Sequence, residues 1–209
     1  MKKVLWICLV LLTACQPELE DRPPDNPGEL PAFTDKGVNA VIEIPAGTNR
    51  KIEYDAAANT FAPDKRDGKE RVIDFLPYPG NYGFIPSTKV NATSGGDGDA
   101  LDILVISEAL PTGSLVEAIP IALLRLRDEG QQDDKVIAIP ADSSLQVISP
   151  KDYLDFSLRY DGAKLIIENW FLYYDGLGTA TFEGWGDEKA ARRAIEGRST
   201  SAEKGVPSK

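Results

Sequence analysis

The sequence predicts an α+β domain, a small β-barrel with two or three helices packed outside it, and two observations carry that expectation. From Gly37 to about residue 140, short β-patterned runs alternate with turn residues. Beyond residue 150 the apolar residues recur at helical spacing instead. Short strands in close succession suit a barrel or sandwich better than βαβ units.

The elements follow in order. Residues 39–44 alternate apolar and polar side chains, and residues 51–54 do so briefly. Residues 71–75, 100–106, 115–126 and 135–139 are strongly apolar and β-branched, the composition of strands. Turn signals punctuate them at Pro45-Ala46-Gly47, Pro79-Gly80-Asn81, Gly95-Gly96-Asp97-Gly98 and Asp128-Glu129-Gly130. Helical spacing then links Tyr153, Phe156 and Leu158, and links Leu165, Ile166, Ile167, Trp170, Phe171 and Tyr174, with Asp161-Gly162 as a break. Residues 187–196 read as a short amphipathic helix with Asp187 near its start. No internal repeat is visible.

The N-terminus reads as an address. Lys2 and Lys3 precede an apolar run over residues 4–12, which as a helix spans about 14 Å against roughly 30 Å of hydrocarbon. A cleaved signal peptide fits better than a membrane span. Leu12-Thr13-Ala14-Cys15 resembles a bacterial lipobox, whose cysteine carries the lipid and becomes the new N-terminus. Residues 1–14 are therefore expected to be a lipoprotein signal peptide. Residues 15–36, rich in Pro and acidic side chains, are expected to form a flexible tether, and residues 37–209 the folded domain. Cys8 lies within the apolar run, so no thiol remains for a disulfide and the body must rely on its core. Gln16 after the cysteine, rather than Asp, resembles the outer-membrane sorting pattern. The expected location is the periplasmic face of the outer membrane, or another extracytoplasmic membrane surface.

Composition excludes whole classes of chemistry. The net charge is −10 and there is no histidine. Acidity argues against nucleic acid as a partner, since that affinity comes from clustered Lys and Arg. Without histidine there is no Ser-His-Asp triad, no imidazole base and no His-based zinc site. Catalysis must run on carboxylates, Lys, Arg, Tyr and bound cations, and clustered carboxylates favour hard ions such as Mg²⁺ or Ca²⁺.

Such a cluster exists. Asp97-Gly98-Asp99-Ala100-Leu101-Asp102 opens directly into an apolar strand. Three carboxylates this close repel one another unless a cation neutralises them. An EF-hand loop is excluded: Leu101 stands at a ligand position, Asp102 stands where the sharp-turn glycine is required, and a strand follows rather than a helix. A second acidic turn runs from Asp128 to Lys135. Taken alone it reads as a solvated hairpin loop; with the first, it suits divalent ions and an anionic substrate. Alternation puts Lys51 and Glu53 on one side of a strand next to Glu43, which is either an ordinary surface charge pair or part of a site. Arg71 is equally ambiguous alone. Tyr78-Pro79-Gly80-Asn81-Tyr82-Gly83 reads as an aromatic-rich turn whose tyrosines belong to the core or offer hydroxyls to phosphate.

Together these residues resemble the family I soluble inorganic pyrophosphatases. Val41-Ile42-Glu43-Ile44-Pro45, Lys51-Ile52-Glu53, Arg71, the Tyr78–Gly83 motif, the Asp97–Asp102 run and the Asp128–Lys135 turn follow that family's pattern in order. Phe182-Glu183-Gly184-Trp185 resembles its C-terminal segment, and the likeness spans residues 38–196. The resemblance implies a five-stranded, OB-like closed β-barrel with flanking helices, hydrolysing inorganic diphosphate with three to four Mg²⁺ per active site. It implies that Asp97, Asp102 and Asp133 ligate the first metal, that Asp102 bridges towards a second, and that Asp128 binds one arriving with substrate. Glu43 and Glu53 would act mainly through water on the metals. Asp99 would orient or deprotonate the attacking water, while Lys51, Arg71, Tyr82, Lys135 and Tyr174 would hold phosphate oxygens. Bacterial relatives commonly form hexamers, so self-association stays open.

Two departures stand out. The family usually has a Tyr-Lys pair where this chain has Tyr174-Asp175, and Tyr173 is an alternative equivalent. Most relatives are cytosolic, whereas this chain carries an export signal. The competing expectations are a non-catalytic cation- or polyanion-binding lipoprotein on the same barrel, and a related hydrolase of nucleotides or short polyphosphate.

Overall fold

A computed structural model of the chain describes residues 26–90 and 98–200. The expected signal peptide, Cys15 and Asp97 lie outside the described residues. The elements are β1 (Val38–Ile44), β2 (Ile52–Asp55), β3 (Thr60–Pro63), β4 (Lys65–Arg66), β5 (Lys69–Glu70), β6 (Asn81–Ile85), β7 (Leu101–Val105), β8 (Leu115–Asp128), β9 (Gln131–Gln132) and β10 (Lys135–Pro140). Helices α1 (Tyr153–Arg159) and α2 (Asp161–Tyr173), strand β11 (Ala180–Asp187) and helix α3 (Glu188–Glu196) complete the chain.

One mixed sheet organises the body, in the order β1-β6-β7-β10-β8-β11, with β9 folded back on β8. Strand β8 is 14 residues long, enough to pair with β10, with β11 and, through its first residues, with β1. The pairings therefore run from β1 through β6, β7, β10 and β8 and return to β1. All are antiparallel except β7 with β10.

Alternation divides the apolar side chains between two cores. On one face Ile103, Val105, Val136 and Ala138 pack with Ala191 and Ile195 of α3. On the other, Leu104, Ile137 and Ile139 pack with Phe156 of α1 and with Ile167, Trp170 and Phe171 of α2. A strand covered on both faces must be apolar at every position, which is why all six residues of β10 are buried.

The helices match the spacing read from the sequence. Only Tyr160 separates α1 from α2, so Asp161-Gly162 opens the second helix. Asp187 caps α3, its carboxylate accepting from the Ala190 N–H at 2.7 Å.

Several expectations need correction. Residues 71–75 form no strand. Val72 makes an isolated bridge to Arg50, and the backbone there is satisfied by the loop before β2, with Lys51 N bonded to Arg71 O and Ile73 N to Asn49 O. Conversely, Asn81 to Gly83, read as part of a turn, begin β6 in the middle of the sheet. Two non-strand residue types hide this strand. Gly83 is required because a Cβ there would stand 1.9 Å from Val41 O. Asn81 is buried with its amide fully used: Oδ1 accepts from Ala46 and Leu110 N–H, and Nδ2 donates to Ser107 Oγ and Glu108 O. Strand β11 is masked by Gly184, which sits at φ +124° where the register with β8 shifts. Finally, residues 26–36, read as the end of a flexible tether, pack on the body. Pro27 and Ala32 are buried, and Asn39 Nδ2 donates to Pro31 O.

Asn81 supplies a stability test. Asn81→Ala removes four hydrogen bonds and leaves backbone partners unsatisfied, at roughly 1–3 kcal/mol for each buried group. Urea denaturation is expected to show a loss of at least about 3 kcal/mol, with an unchanged far-UV spectrum in water.

Candidate active site

The parallel pair β7/β10 builds the centre of the site. Its register sets Lys135 opposite Asp102 at the start of the two strands. Asp99 precedes β7 and Asp133 precedes β10, so both acids fall at the same sheet end. Strand β8 runs antiparallel to β10 and finishes there with Asp128.

These residues line a cleft of about 1110 Å³. Its other wall carries Glu43 of β1, Lys51 and Glu53 at β2, and Arg71; Tyr82 of β6 and Tyr174, just after α2, complete it. Every candidate metal or substrate residue within the described chain thus lies in this one cavity. Alternation placed Lys51 and Glu53 on one side, and they form an ion pair of 2.7 Å. Of the two tyrosines ending α2, Tyr174 lines the cleft and Tyr173 is exposed.

The electrostatics follow from burial. The Lys135 side chain is only 4% exposed, and its Nζ donates to Asp102 Oδ2 and Asp133 Oδ1. The rings of Tyr82 and Phe171 flank it, 5.7 and 5.8 Å from the nitrogen. Burial alone would push this ammonium pKa down, but the two carboxylates raise it above its ordinary value. Asp102 is raised by burial, against the pull of Lys135. Glu43 is pushed up to about 8, chiefly by burial and further by Asp102 and Glu53, although it accepts a 2.7 Å bond from the Tyr54 N–H. Asp128 is raised by burial and by Asp133 and Glu129. Burial raises Tyr82 as well, and lifts Tyr174 to about 12, so both phenols keep their protons as donors.

The donor set fits a hard cation. All the acidic ligands are carboxylates, and Asp128 Oδ1 is buried with no hydrogen-bond partner. Among the described residues no three carboxylates stand together as a closed cage; Lys135 occupies the space between Asp102 and Asp133. An all-oxygen donor set suits Mg²⁺, which takes one or two carboxylates and draws its remaining ligands from water and phosphate oxygens; at Asp102 and Asp133 it would share the carboxylates with Lys135.

Two residues of the wall make contacts that the sequence did not foretell: Asp175, noted there only as a departure from the Tyr-Lys pair, and Arg66. Asp175 faces the cleft and accepts from both Nη atoms of Arg66 at 3.1 Å and from Arg71 Nη2 at 2.8 Å. The overlooked signal for Arg66 is Asp67-Gly68, a two-residue hairpin turn between charged pairs.

Known proteins share the sequence and fold that build this cleft. The family model described as "Inorganic pyrophosphatase" matches residues 40–203. The chain is 36% identical over 163 residues to the inorganic pyrophosphatase of Neisseria meningitidis serogroup A, covering 76% of this chain and 85% of that protein. It is 40% identical over 173 residues to inorganic pyrophosphatase 1 of Pseudomonas syringae pv. tomato, covering 80% and 93%. The crystal structure of inorganic pyrophosphatase from Thermus thermophilus superimposes with a TM-score of 0.69 at 34% identity, covering 86% of this chain and 99% of that one.

The Lys135 pair can be tested directly. Lys135→Met keeps the volume but strands two carboxylates. In metal-free buffer urea denaturation should show a loss of about 3 kcal/mol, the scale for removing one partner of a buried pair.

Proposed function

We propose, on the premise that this chain belongs to the inorganic pyrophosphatase family and is an inorganic diphosphatase, that it hydrolyses diphosphate at a multi-Mg²⁺ site outside the cytoplasm, anchored by a lipid on Cys15. One observation carries the catalytic part: among the described residues, the acidic, cationic and tyrosine side chains of the resemblance, scattered from Glu43 to Tyr174, line one cleft.

Asp97, Asp102, Asp128 and Asp133, with Glu43 and Glu53, would hold the cations, three to four of them in the substrate complex. When bound, Mg²⁺ neutralises the substrate's charge and lowers the pKa of water towards neutrality. The chain's own residues do the rest. Lys51, Arg71 and Lys135, with the Tyr82 and Tyr174 hydroxyls, hold the phosphate oxygens in line. Asp99 accepts a proton from the attacking water as its oxygen bonds to phosphorus. The bridging P–O bond breaks, and the bridging oxygen leaves with the second phosphate. No covalent enzyme intermediate is required, in keeping with the absence of histidine. The return of strand pairing from β8 to β1 supports the OB-like barrel reading of the five central strands.

Anchoring rests on the sequence of residues 1–16 alone. In a two-membrane cell it puts the enzyme at the periplasmic face of the outer membrane.

Phosphate release from diphosphate by the purified full-length chain tests the reaction. Mg²⁺ should support rapid turnover and EDTA abolish it, with ATP barely hydrolysed. Asp99→Asn should lower kcat by at least about 100-fold, the scale of a lost general base. A folded, metal-binding protein that releases no phosphate would sink the catalytic reading in favour of a binding lipoprotein. Faster release from ATP or tripolyphosphate would shift the substrate class instead. Membrane attachment is read separately: Cys15→Ala should abolish fatty-acid labelling and move the protein to the soluble fraction.

A further inference from the structure

The β4–β5 ribbon contributes nothing to either core, for all four of its residues are exposed. Its geometry is nonetheless tightly specified. Asp67 and Gly68 both sit at positive φ, 55° and 75°, as a two-residue type I′ hairpin requires. Arg66 stands opposite Lys69, and Arg71 N bonds to Asp64 O at 2.8 Å two residues further along. Alternation therefore puts Asp64, Arg66 and Arg71 on one face of the ribbon. That face meets Asp175.

The result is a string of charges that alternates in sign along the cleft wall. Glu53 pairs with Lys51 at 2.7 Å, Lys51 lies 3.9 Å from Asp64, and Asp64 lies 3.4 Å from Arg71. Arg71 reaches Asp175 at 2.8 Å, and Asp175 holds Arg66 through both of its oxygens. The string ends in a cation. Arg66 is 58% exposed where Arg71 is 12% exposed, and a pair so open to solvent adds little to stability. Arg66, Arg71 and Asp175 also form the partition between the main cleft and a second hollow of about 610 Å³, so solvent reaches the partition from both sides.

We propose that Arg66 is a substrate-binding residue, a second guanidinium beside Arg71 for one of the two phosphates of the substrate, and that Asp175 is the positioning residue holding the two together. This rests on the diphosphatase reading and deepens it. Two guanidiniums on one carboxylate leave a net positive charge for a phosphate oxygen pair, and the planar fork suits that geometry better than a point charge. The cation enters from an exposed ribbon, so an arriving or departing phosphate meets Arg66 before the buried centre around Lys135.

The test uses the full-length chain with Arg66→Ala, Arg66→Lys, Asp175→Asn and the Arg66→Ala/Asp175→Asn double variant. Two affinities are read: KM for diphosphate with Mg²⁺, and calorimetric Kd for orthophosphate. Arg66→Ala should raise both about tenfold, the scale of one charge-assisted contact, with kcat and melting temperature near wild type. Arg66→Lys should fall between, and Asp175→Asn should add little once Arg66 is gone. Wild-type KM and Kd in Arg66→Ala would overturn the proposal, as would a lowered melting temperature with unchanged affinity. If the wild-type chain released no phosphate from diphosphate, the diphosphatase reading would fail, while the orthophosphate arm would still decide the role of Arg66.

Discussion

The site depends on one buried contact, the Lys135 ammonium held between the carboxylates of Asp102 and Asp133. No surface pairing would fix three charged side chains so firmly, because an exposed pair loses most of its Coulomb energy to water. Burial reverses the balance: desolvating any one of the three is expensive, and only their mutual arrangement offsets it. The contact in turn demands the parallel register of β7 and β10. A slip of one residue would turn Asp102 and Lys135 away from each other and drive Ile103 and Val136 out of their core. Register and site are specified by the same apolar side chains on both faces of the sheet.

Around that contact the cleft carries more negative charge than its own cations neutralise. Nine acidic side chains of the described residues line it, including Glu43, Glu53, Asp99, Asp102, Asp128 and Asp133, against five cations, Lys51, Arg66, Arg71, Lys89 and Lys135. Burial is the main cause of the upward shifts of Glu43, Asp102 and Asp128, and neighbouring carboxylates add to each. The substrate, itself an anion, makes the imbalance worse. Divalent cations are the physically economical resolution, since each one neutralises ligand and substrate oxygens together. Cation binding and fold stability are then linked, because an ion that binds only the assembled cleft stabilises the native state by mass action.

Much of this was legible in the residues. The Asp97–Asp102 run raises the expectation of a cation site through its closely spaced carboxylates, and alternation placed Lys51 beside Glu53, where the two pair. Continuous apolar runs marked β7 and β10 because both faces of those strands are covered, and β8 is buried in the same way over residues 121–124. The failures have equally local causes. Strand β6 was hidden by Asn81 and Gly83, residues poor in strand propensity that tertiary contacts require: a fully bonded amide in one case, a backbone approach in the other. Residues 71–75 have strand composition, but the chain there bonds to a loop instead of a sheet. Nothing in the spacing of Arg66 and Asp175, 109 positions apart, could show that they meet. The Asp-Gly turn that aims Arg66 was readable; its target was not.

The cleft has two unlike walls, and its chemistry is divided between them. Asp99, Asp102, Asp128, Asp133 and Lys135 stand at the ends of strands whose interiors are buried in the two cores. Lys51, Arg66 and Arg71 come from or beside the β2–β3 and β4–β5 ribbons, which lie off the main sheet and bury little. A water and the phosphorus it attacks must be aligned within a fraction of an ångström, and only a packed scaffold holds side chains to that tolerance. Groups that capture an anionic substrate have the opposite requirement, because they must also release its product. Lightly buried ribbons open locally at low free-energy cost. With Lys51, Arg66 and Arg71 there, and Lys135 and most of the cleft's carboxylates on the sheet, alignment and release rest largely on different elements.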